Sequence, residues 1–502
     1  MKKLIALAAC FAISVASAAW KSVGTVQVAD VESLIKGVTR VGEFTGNQMI
    51  GMMAATTVAQ LPFVELFGEG RDGVPFALQL FCDGDDFEYA VLYPIDKTQK
   101  EFLAEHPGKV GKDGVIALAP DAAAQGEEDD ETDEVRYVKF SADGKWVAMS
   151  DKPEQLPLAL MGVKQAERPM KGALVRLAVN KAEMKILCGM LDKVKAENKD
   201  DAGVKKLEEQ LRDCESFACA IAVDDRGLAF RGSFAAVKGS KLAKCGLKPL
   251  AENPLAFADK SALFAYACAA DCGQNSIELD TLRAVLAKYG IKTDFFAAEE
   301  KKGVVFCTLD IPAAAAYLKS ASNVLEKVEW KELGEDLQKT FEGEMAYKVE
   351  NPAMAGQFAI KGYESAVTPA ERMASVLPEI AGKRPYHLQI GSLYSLVLAM
   401  MPHVLNELDP KDRAAFAPVM ATLPPPGKGG IGGAVWREKD AHRILVRFSA
   451  DEFKSFSTGF AAFAAYTAQQ STKPSKKPAR KQAKKPSRQD TNRDKAKKEA
   501  GK

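Results

Sequence analysis

The densest cluster of chemistry-bearing side chains in this chain is cationic. Lys476, Lys477, Arg480, Lys481, Lys484, Lys485 and Arg488 fall in a stretch without a single aromatic residue. Clustered Lys and Arg attract polyanions by releasing counterions, with a steep dependence on salt. Base stacking needs interleaved aromatic rings. No specific nucleic-acid recognition is therefore expected; the anions expected are an envelope polymer or an anionic membrane surface. A solubilising tail that neutralises the protein's own acidic loop is the other reading of the same residues.

Elsewhere the candidates thin out. There are four histidines. His106 precedes Pro107-Gly108 and reads as a loop residue, His387 opens a strand, His403 follows Pro402 in an apolar helix, and His442 sits beside a hairpin turn. No Gly-x-Ser-x-Gly elbow occurs, and no catalytic residue is assigned. Cys268-Ala269-Ala270-Asp271-Cys272, and Cys214 with Cys219, lack the His or second close Cys pair that a four-ligand zinc site requires. Asp83-Gly84-Asp85-Asp86 and the acidic run Glu127 to Glu134 lack the pattern of a calcium loop. Both read as solvated turns or loops. Gly427 to Gly433 is glycine-rich but has no Gly-Lys-Ser/Thr ending and opens into a strand, so it reads as a flexible connection. Neither a metal nor a cofactor is expected.

The elements that carry these residues follow from the termini inward. Lys2 and Lys3 precede an apolar run from Leu4 to Val15 and the small residues Ala16-Ser17-Ala18. This is the pattern of a secretion signal cleaved after Ala18. Leu7-Ala8-Ala9-Cys10 also matches a lipoprotein signal, with an unusually short apolar lead. No later stretch reaches the roughly 20 apolar residues of a membrane span. An exported chain permits disulfides, and Cys188 with Cys214 brackets a polar helical stretch as a candidate pair. Cys219 and Cys307 lie in apolar strands, where a buried thiol fits as well.

Charge divides the chain. From Ser471 to Lys502 there are 10 Lys, 3 Arg and 3 acids, so this tail carries a net +10 in a chain whose formal charge is only +1. An acidic body bears a basic tail. The tail has no apolar periodicity and reads as disordered.

Between signal and tail one pattern recurs six times: a strand, a polar turn, a second strand and a capped helix. The turns fall at Asp83-Gly84-Asp85-Asp86, Asp143-Gly144, Asp224 to Gly227, Glu299 to Gly303, Asn351-Pro352 and Arg437 to Asp440. Asp-Gly and charged turns supply hairpin geometry. Thr368-Pro369-Ala370-Glu371 and Ser449-Ala450-Asp451-Glu452 are capping boxes. The first and fourth turns, the third and sixth, and the strands Ala173 to Val179 and His387 to Leu393 are each offset by a similar number of residues. The spacing predicts an α+β fold of two tandem related halves, 19–246 and 247–470, after a signal at 1–18 and before a disordered tail at 471–502. Each half is expected to be an antiparallel sheet of hairpin–helix units with helices packed on one face.

Tyr137 to Asp151, with Glu154-Gln155-Leu156 after it, and Tyr89 to Asp96 resemble a group of uncharacterised exported bacterial proteins of the Planctomycetes and Verrucomicrobia type, grouped as a domain of unknown function. The resemblance covers Val74 to Leu160, with a fainter echo in the second half. It implies a bacterial exported protein and brings no catalytic residues. The expectation is a non-enzymatic envelope or secreted binding or scaffold protein whose tail docks on an anionic surface. The alternative is a carrier holding an apolar ligand between sheet and helices, lined by Leu393 to Leu405 and Phe456 to Ala465. An enzyme of unknown class is the third reading.

Overall fold

A computed structural model describes residues 20–47, 49–83, 86–118, 136–197, 211–269, 279–302, 304–321, 324, 326–344 and 354–472. The signal, Gly84-Asp85, the acidic run, Cys272, Gly303, Asn351-Pro352 and all seven cationic tail residues lie outside the described residues.

The chain is α+β, with a sheet of 17 strands among the described residues. In chain order these are β1 (Lys21–Val28), β2 (Phe76–Asp83), β3 (Asp86–Pro94), β4 (Gly108–Val110), β5 (Ile116–Leu118), β6 (Tyr137–Phe140), β7 (Trp146–Ser150), β8 (Ala173–Val179) and β9 (Cys214–Asp224). They continue as β10 (Gly227–Ala236), β11 (Ala262–Cys268), β12 (Phe296–Lys301), β13 (Val304–Leu309), β14 (Met354–Ile360), β15 (Pro385–Gly391), β16 (Ile431–Glu438) and β17 (Ala441–Ser449). From edge to edge the pairing runs β4-β5-β6-β7-β3-β2-β1-β8-β9-β10-β17-β16-β15-β11-β14-β13-β12.

The expectation of one sheet for each half gives way to a single shared sheet. Strands before and after Gly246 meet where β10 pairs β17 over nine residue pairs, from Gly227↔Ser449 to Ala235↔Ala441. The sheet is also not wholly antiparallel, because β13 and β14 run parallel. A parallel pair needs a long crossover, and the helices Ile311–Ser320 and Trp330–Glu344 lie within that connection.

Helices also lie on both faces, not on one. Along β1, Val28 packs in the cluster that includes Ile35 of the helix Val31–Phe44. The alternate side chain of Gln27 points the other way and donates to the Ala166 carbonyl, in the helix Val163–Ala166. Strands such as β7, buried at every residue, have no water-facing side, so each face needs a cover.

Two five-strand sets within the sheet share order and irregularities. β2-β1-β8-β9-β10 and β14-β11-β15-β16-β17 are antiparallel throughout. The second strand of each order is bulged, β1 between Ser22 and Gly24 and β11 between Ala262 and Phe264. A second bulge lies between Ala173 and Val175, and its counterpart between Pro385 and His387. A bulge re-aims a strand and alters its local twist, so matching bulges give matching courses. The third and sixth hairpins occupy equivalent places. The first and fourth do not: β2 stands where β14 stands, and β12 with β13 lies outside β14.

Local caps follow the sequence closely. Thr368 and Glu371 form a reciprocal capping box, and Asp310 accepts from Ala313 N. Thr98, with Glu101, caps the helix Gln99–Glu105 in the same reciprocal way. Glu452 departs from its expected box. Its carboxylate accepts from Ser392 Oγ at 3.0 Å and from Tyr394 N at 2.8 Å. It thereby caps the neighbouring helix Leu393–Glu407 in place of its own.

Candidate ligand-binding cavity

The polar side chains of the first strand set converge on one face. Sheet register aligns Gln79 of β2, Thr25 of β1, Ala178 of β8, Ala218 of β9 and Ser233 of β10 in a single rung. The next rung on that face places Gln27 of β1 beside Arg176 of β8. Side chains two apart on a strand share a face, so Ala178, Ala218 and Ala235 form a floor of small groups. The result is a cavity of about 310 Å³ lined by Thr25, Gln27, Arg168, Arg176 and Glu183, with Ser216, Phe217 and Ser233. This lies at the small end of the range for ligand sites.

The walls are held by hydrogen bonds. Thr25 Oγ1 lies 2.9 Å from Gln79 Oε1 and 2.7 Å from Gln165 Oε1. Gln27 Nε2 donates to the carbonyls of Ala166 at 2.9 Å and Arg168 at 3.0 Å. These bonds tie the segment bearing Arg168 to the sheet. On another wall, Asn180 opens the helix Lys181–Glu197 and its side chain accepts from Ala182 N and Glu183 N. Glu183 accepts in turn from Asn180 N at 2.7 Å and from Ser22 Oγ at 2.9 Å.

The charges in this cavity are uncompensated. Neither Arg168 nor Arg176 has a side-chain hydrogen bond or ion pair among the described residues. Burial, and then the neighbouring Arg168, hold the Arg176 guanidinium below its usual range. Glu183 is buried, and only neutral groups bond to its carboxylate among the described residues.

The equivalent place in the second strand set is packed. There the rung reads Gln357, Ala265, Ile390, Gly432 and Arg447. Ala267 and Leu388 replace Gln27 and Arg176 in the next rung. Leu377, from the loop after the helix Pro369–Val376, fills the space with Ile390. A Cβ at Gly432 would lie 2.9 Å from both side chains. Leu388, Ile390, Val376 and Leu377 belong to one buried cluster.

The residues singled out in the sequence fall elsewhere. Cys188 and Cys214 come near enough to interact. Burial first, and Cys188 after it, push the Cys214 thiol up to about 11, against a hydrogen bond to the Ser216 backbone. His106 closes the helix Gln99–Glu105 and its ring lies 4.9 Å from that of Phe102. His442 is buried, with Nδ1 2.8 Å from Tyr386 Oη. The glycine run is not a loose connection. The Gly429 carbonyl accepts from Arg372, and a Cβ at Gly430 would strike the Gly391 carbonyl. Of the helices expected to line an apolar pocket, Leu393–Glu407 supplies core: Leu396 and Ala399 pack with Leu263 and Ile360.

None of the cavity residues was singled out by sequence. The available signal was Arg176, a charge in the middle of the apolar strand Ala-Leu-Val-Arg-Leu-Ala-Val. Among the described residues no group of three or more His, Cys, Asp or Glu side chains is placed to hold a metal ion, and no helix is long and apolar enough to cross a membrane. No family model, curated protein or solved structure matches the chain.

Proposed function

We propose that this chain is an exported, non-enzymatic binding protein of the bacterial envelope that takes a small polar solute into the cavity of its first strand set. One observation carries the reading. Two guanidinium groups with no partner among the described residues line a pocket floored by alanine and serine, at a place that the second set fills with leucine and isoleucine. Placing like charges together without counter-charges is unfavourable, and an anionic group on a ligand would relieve it. Arginine suits this role because its fork of donors matches a carboxylate or phosphate. The two strand sets support descent from one duplicated module, of which the first copy kept an open site.

The basic tail has a separate role in this proposal: Lys476, Lys477, Arg480, Lys481, Lys484, Lys485 and Arg488 hold the protein on an anionic polymer or membrane surface. The two roles are tested independently. Native mass spectrometry of the protein isolated from its source should show a bound solute that is lost in Arg176→Ala. A clean spectrum in the wild type rejects the cavity reading. Binding to anionic vesicles should fall steeply with salt and vanish on deletion of 473–502. Retained binding rejects the role of the tail.

A further inference from the structure

The cavity holds charges of both signs that do not neutralise each other. Arg168 and Arg176 present two guanidinium groups, and Glu183 presents a buried carboxylate. Within ion-pairing distance these groups would form a salt bridge, yet among the described residues no such pair includes Glu183, Arg168 or Arg176. Glu183 is held instead by Ser22 Oγ and Asn180 N, both neutral donors. An ionised carboxylate has about four acceptor positions, so two bonds leave capacity for a further donor. The cavity thus has a cationic side and an anionic side, kept apart by its own framework.

We infer that the solute is a small zwitterion, an amino acid or a short peptide, whose acid group meets Arg168 and Arg176 and whose amine meets Glu183. This rests on the cavity reading above and narrows it. The side chains between the two charged sides fit such a molecule. Ser216 and Ser233 each offer a hydroxyl that donates or accepts, and Ala178, Ala218 and Ala235 offer an apolar floor. The volume of about 310 Å³ holds on the order of ten groups of water size. This suits an amino acid or a dipeptide.

The second strand set supports the assignment by contrast. Ala265, Ala267 and Leu388 stand where Thr25, Gln27 and Arg176 stand. Ser395 takes the place of Glu183, three residues past the helix cap in each set, and is fully buried. The charges of Arg176 and Glu183 are absent together from their equivalent positions, Leu388 and Ser395, as they would be if they serve one ligand. One bound solute per chain follows.

The test uses the full exported chain and three probe pools: the standard amino acids with glycyl dipeptides, the same compounds N-acetylated, and the same compounds as methyl esters. The free pool is expected to raise the melting temperature, and both modified pools to leave it unchanged. Calorimetry with the best free compound should give one site per chain. Glu183→Gln keeps an acceptor for Asn180 N and should weaken binding at least tenfold. Arg168→Gln, on an exposed segment away from that cap, should weaken it comparably and covers the case in which Glu183→Gln does not fold. An acetylated pool that binds as well as the free pool overturns the zwitterion and leaves the cavity an anion site. If no pool has any effect the zwitterion falls, and the mass-spectrometric search for a bound solute decides the cavity on its own.

Discussion

Arg447 and Asp224, 223 residues apart in the chain, are joined by a charged hydrogen bond of 3.1 Å from Nη2 to Oδ2. The Arg447 side chain is fully buried and also meets both oxygens of Glu379, at 2.6 and 3.0 Å. Arg226 reaches the same glutamate at 3.2 Å. The network spans the β10–β17 seam and ties the third hairpin to the segment after the helix Pro369–Val376. Arg447→Ala leaves two carboxylates facing each other without their shared cation, and should cost about 3 kcal/mol in urea denaturation. Glu379→Gln keeps an acceptor and should cost about 1 kcal/mol. An Arg447→Ala loss no larger than that of Glu379→Gln would mean that water replaces the guanidinium.

Acid should weaken the fold through His442. Its ring stacks on Phe234 at 4.7 Å and bonds Tyr386. Burial, and then Arg437, hold its pKa below the ordinary 6.5. The unfolded chain takes up the proton near 6.5, while the folded chain resists it until lower pH. The unfolded state then binds more protons, so stability is full above 6.5 and declines as pH falls below it. His387, lowered chiefly by burial, adds with the same sign. Melting temperatures from pH 7.5 to 5 should fall for the wild type and fall less for His442→Gln. Equal slopes would clear His442 of the effect.

Gly227 should tolerate no side chain. It has φ +125° at the turn of the β9–β10 hairpin, and a Cβ there would meet the Phe448 carbonyl and Ala450 N across the seam. Gly227→Ala should destabilise by about 2–3 kcal/mol, from strain and overpacking together. Gly144 has φ +69° and open space around it. Gly144→Ala should cost only about 1 kcal/mol. Similar melting shifts for the two would remove the seam contact as the cause.

The binding site should trade against stability. Arg176 carries no partner among the described residues and feels the charge of Arg168. Arg176→Gln should stabilise the ligand-free protein slightly, by on the order of 0.3 kcal/mol once solvent screening is counted, and so raise its melting point. It should at the same time abolish solute binding. A ligand-free protein made less stable by this change would show that Arg176 serves packing.

Cys188 and Cys214 should join in an oxidising compartment. Closing a loop of this length stabilises by about 3 kcal/mol. Peptide mapping of the protein isolated from an oxidising compartment should recover a Cys188–Cys214 cross-link, and dithiothreitol should lower the melting point. A map with both sites alkylated without reduction rejects the bond.

Much of this fold was legible because its signals are local. Hairpins with charged turns and capped helices leave their marks within a few residues, so β2, β3, β9, β10, β16 and β17 stood near their expected places. Thr368, Asp310 and Ser240 cap where their residue types suggest. What the sequence hid is long-range. β1 and β11, at the heart of the two strand sets, are single strands without a hairpin turn to announce them. The shared sheet depends on which strand ends meet, and nothing in a linear pattern records that β10 ends beside β17. The cavity was hidden for the same reason. Thr25, Arg176 and Ser233 become neighbours only through the register of β1, β8, β9 and β10, and Ala178 and Ala218 matter because they are small. Tail residues, by contrast, drew notice by composition alone.

The seam between β10 and β17 has a consequence for any attempt to divide the molecule. Cut near Gly246, the N-terminal piece would be left with a naked ten-residue border of amide and carbonyl groups, bearing Phe230 and Phe234. Such a border seeks another strand. It can find one on a second copy of the same piece, because an antiparallel match between identical strands is available by simple rotation. Severed fragments should therefore assemble or precipitate, not persist as monomers.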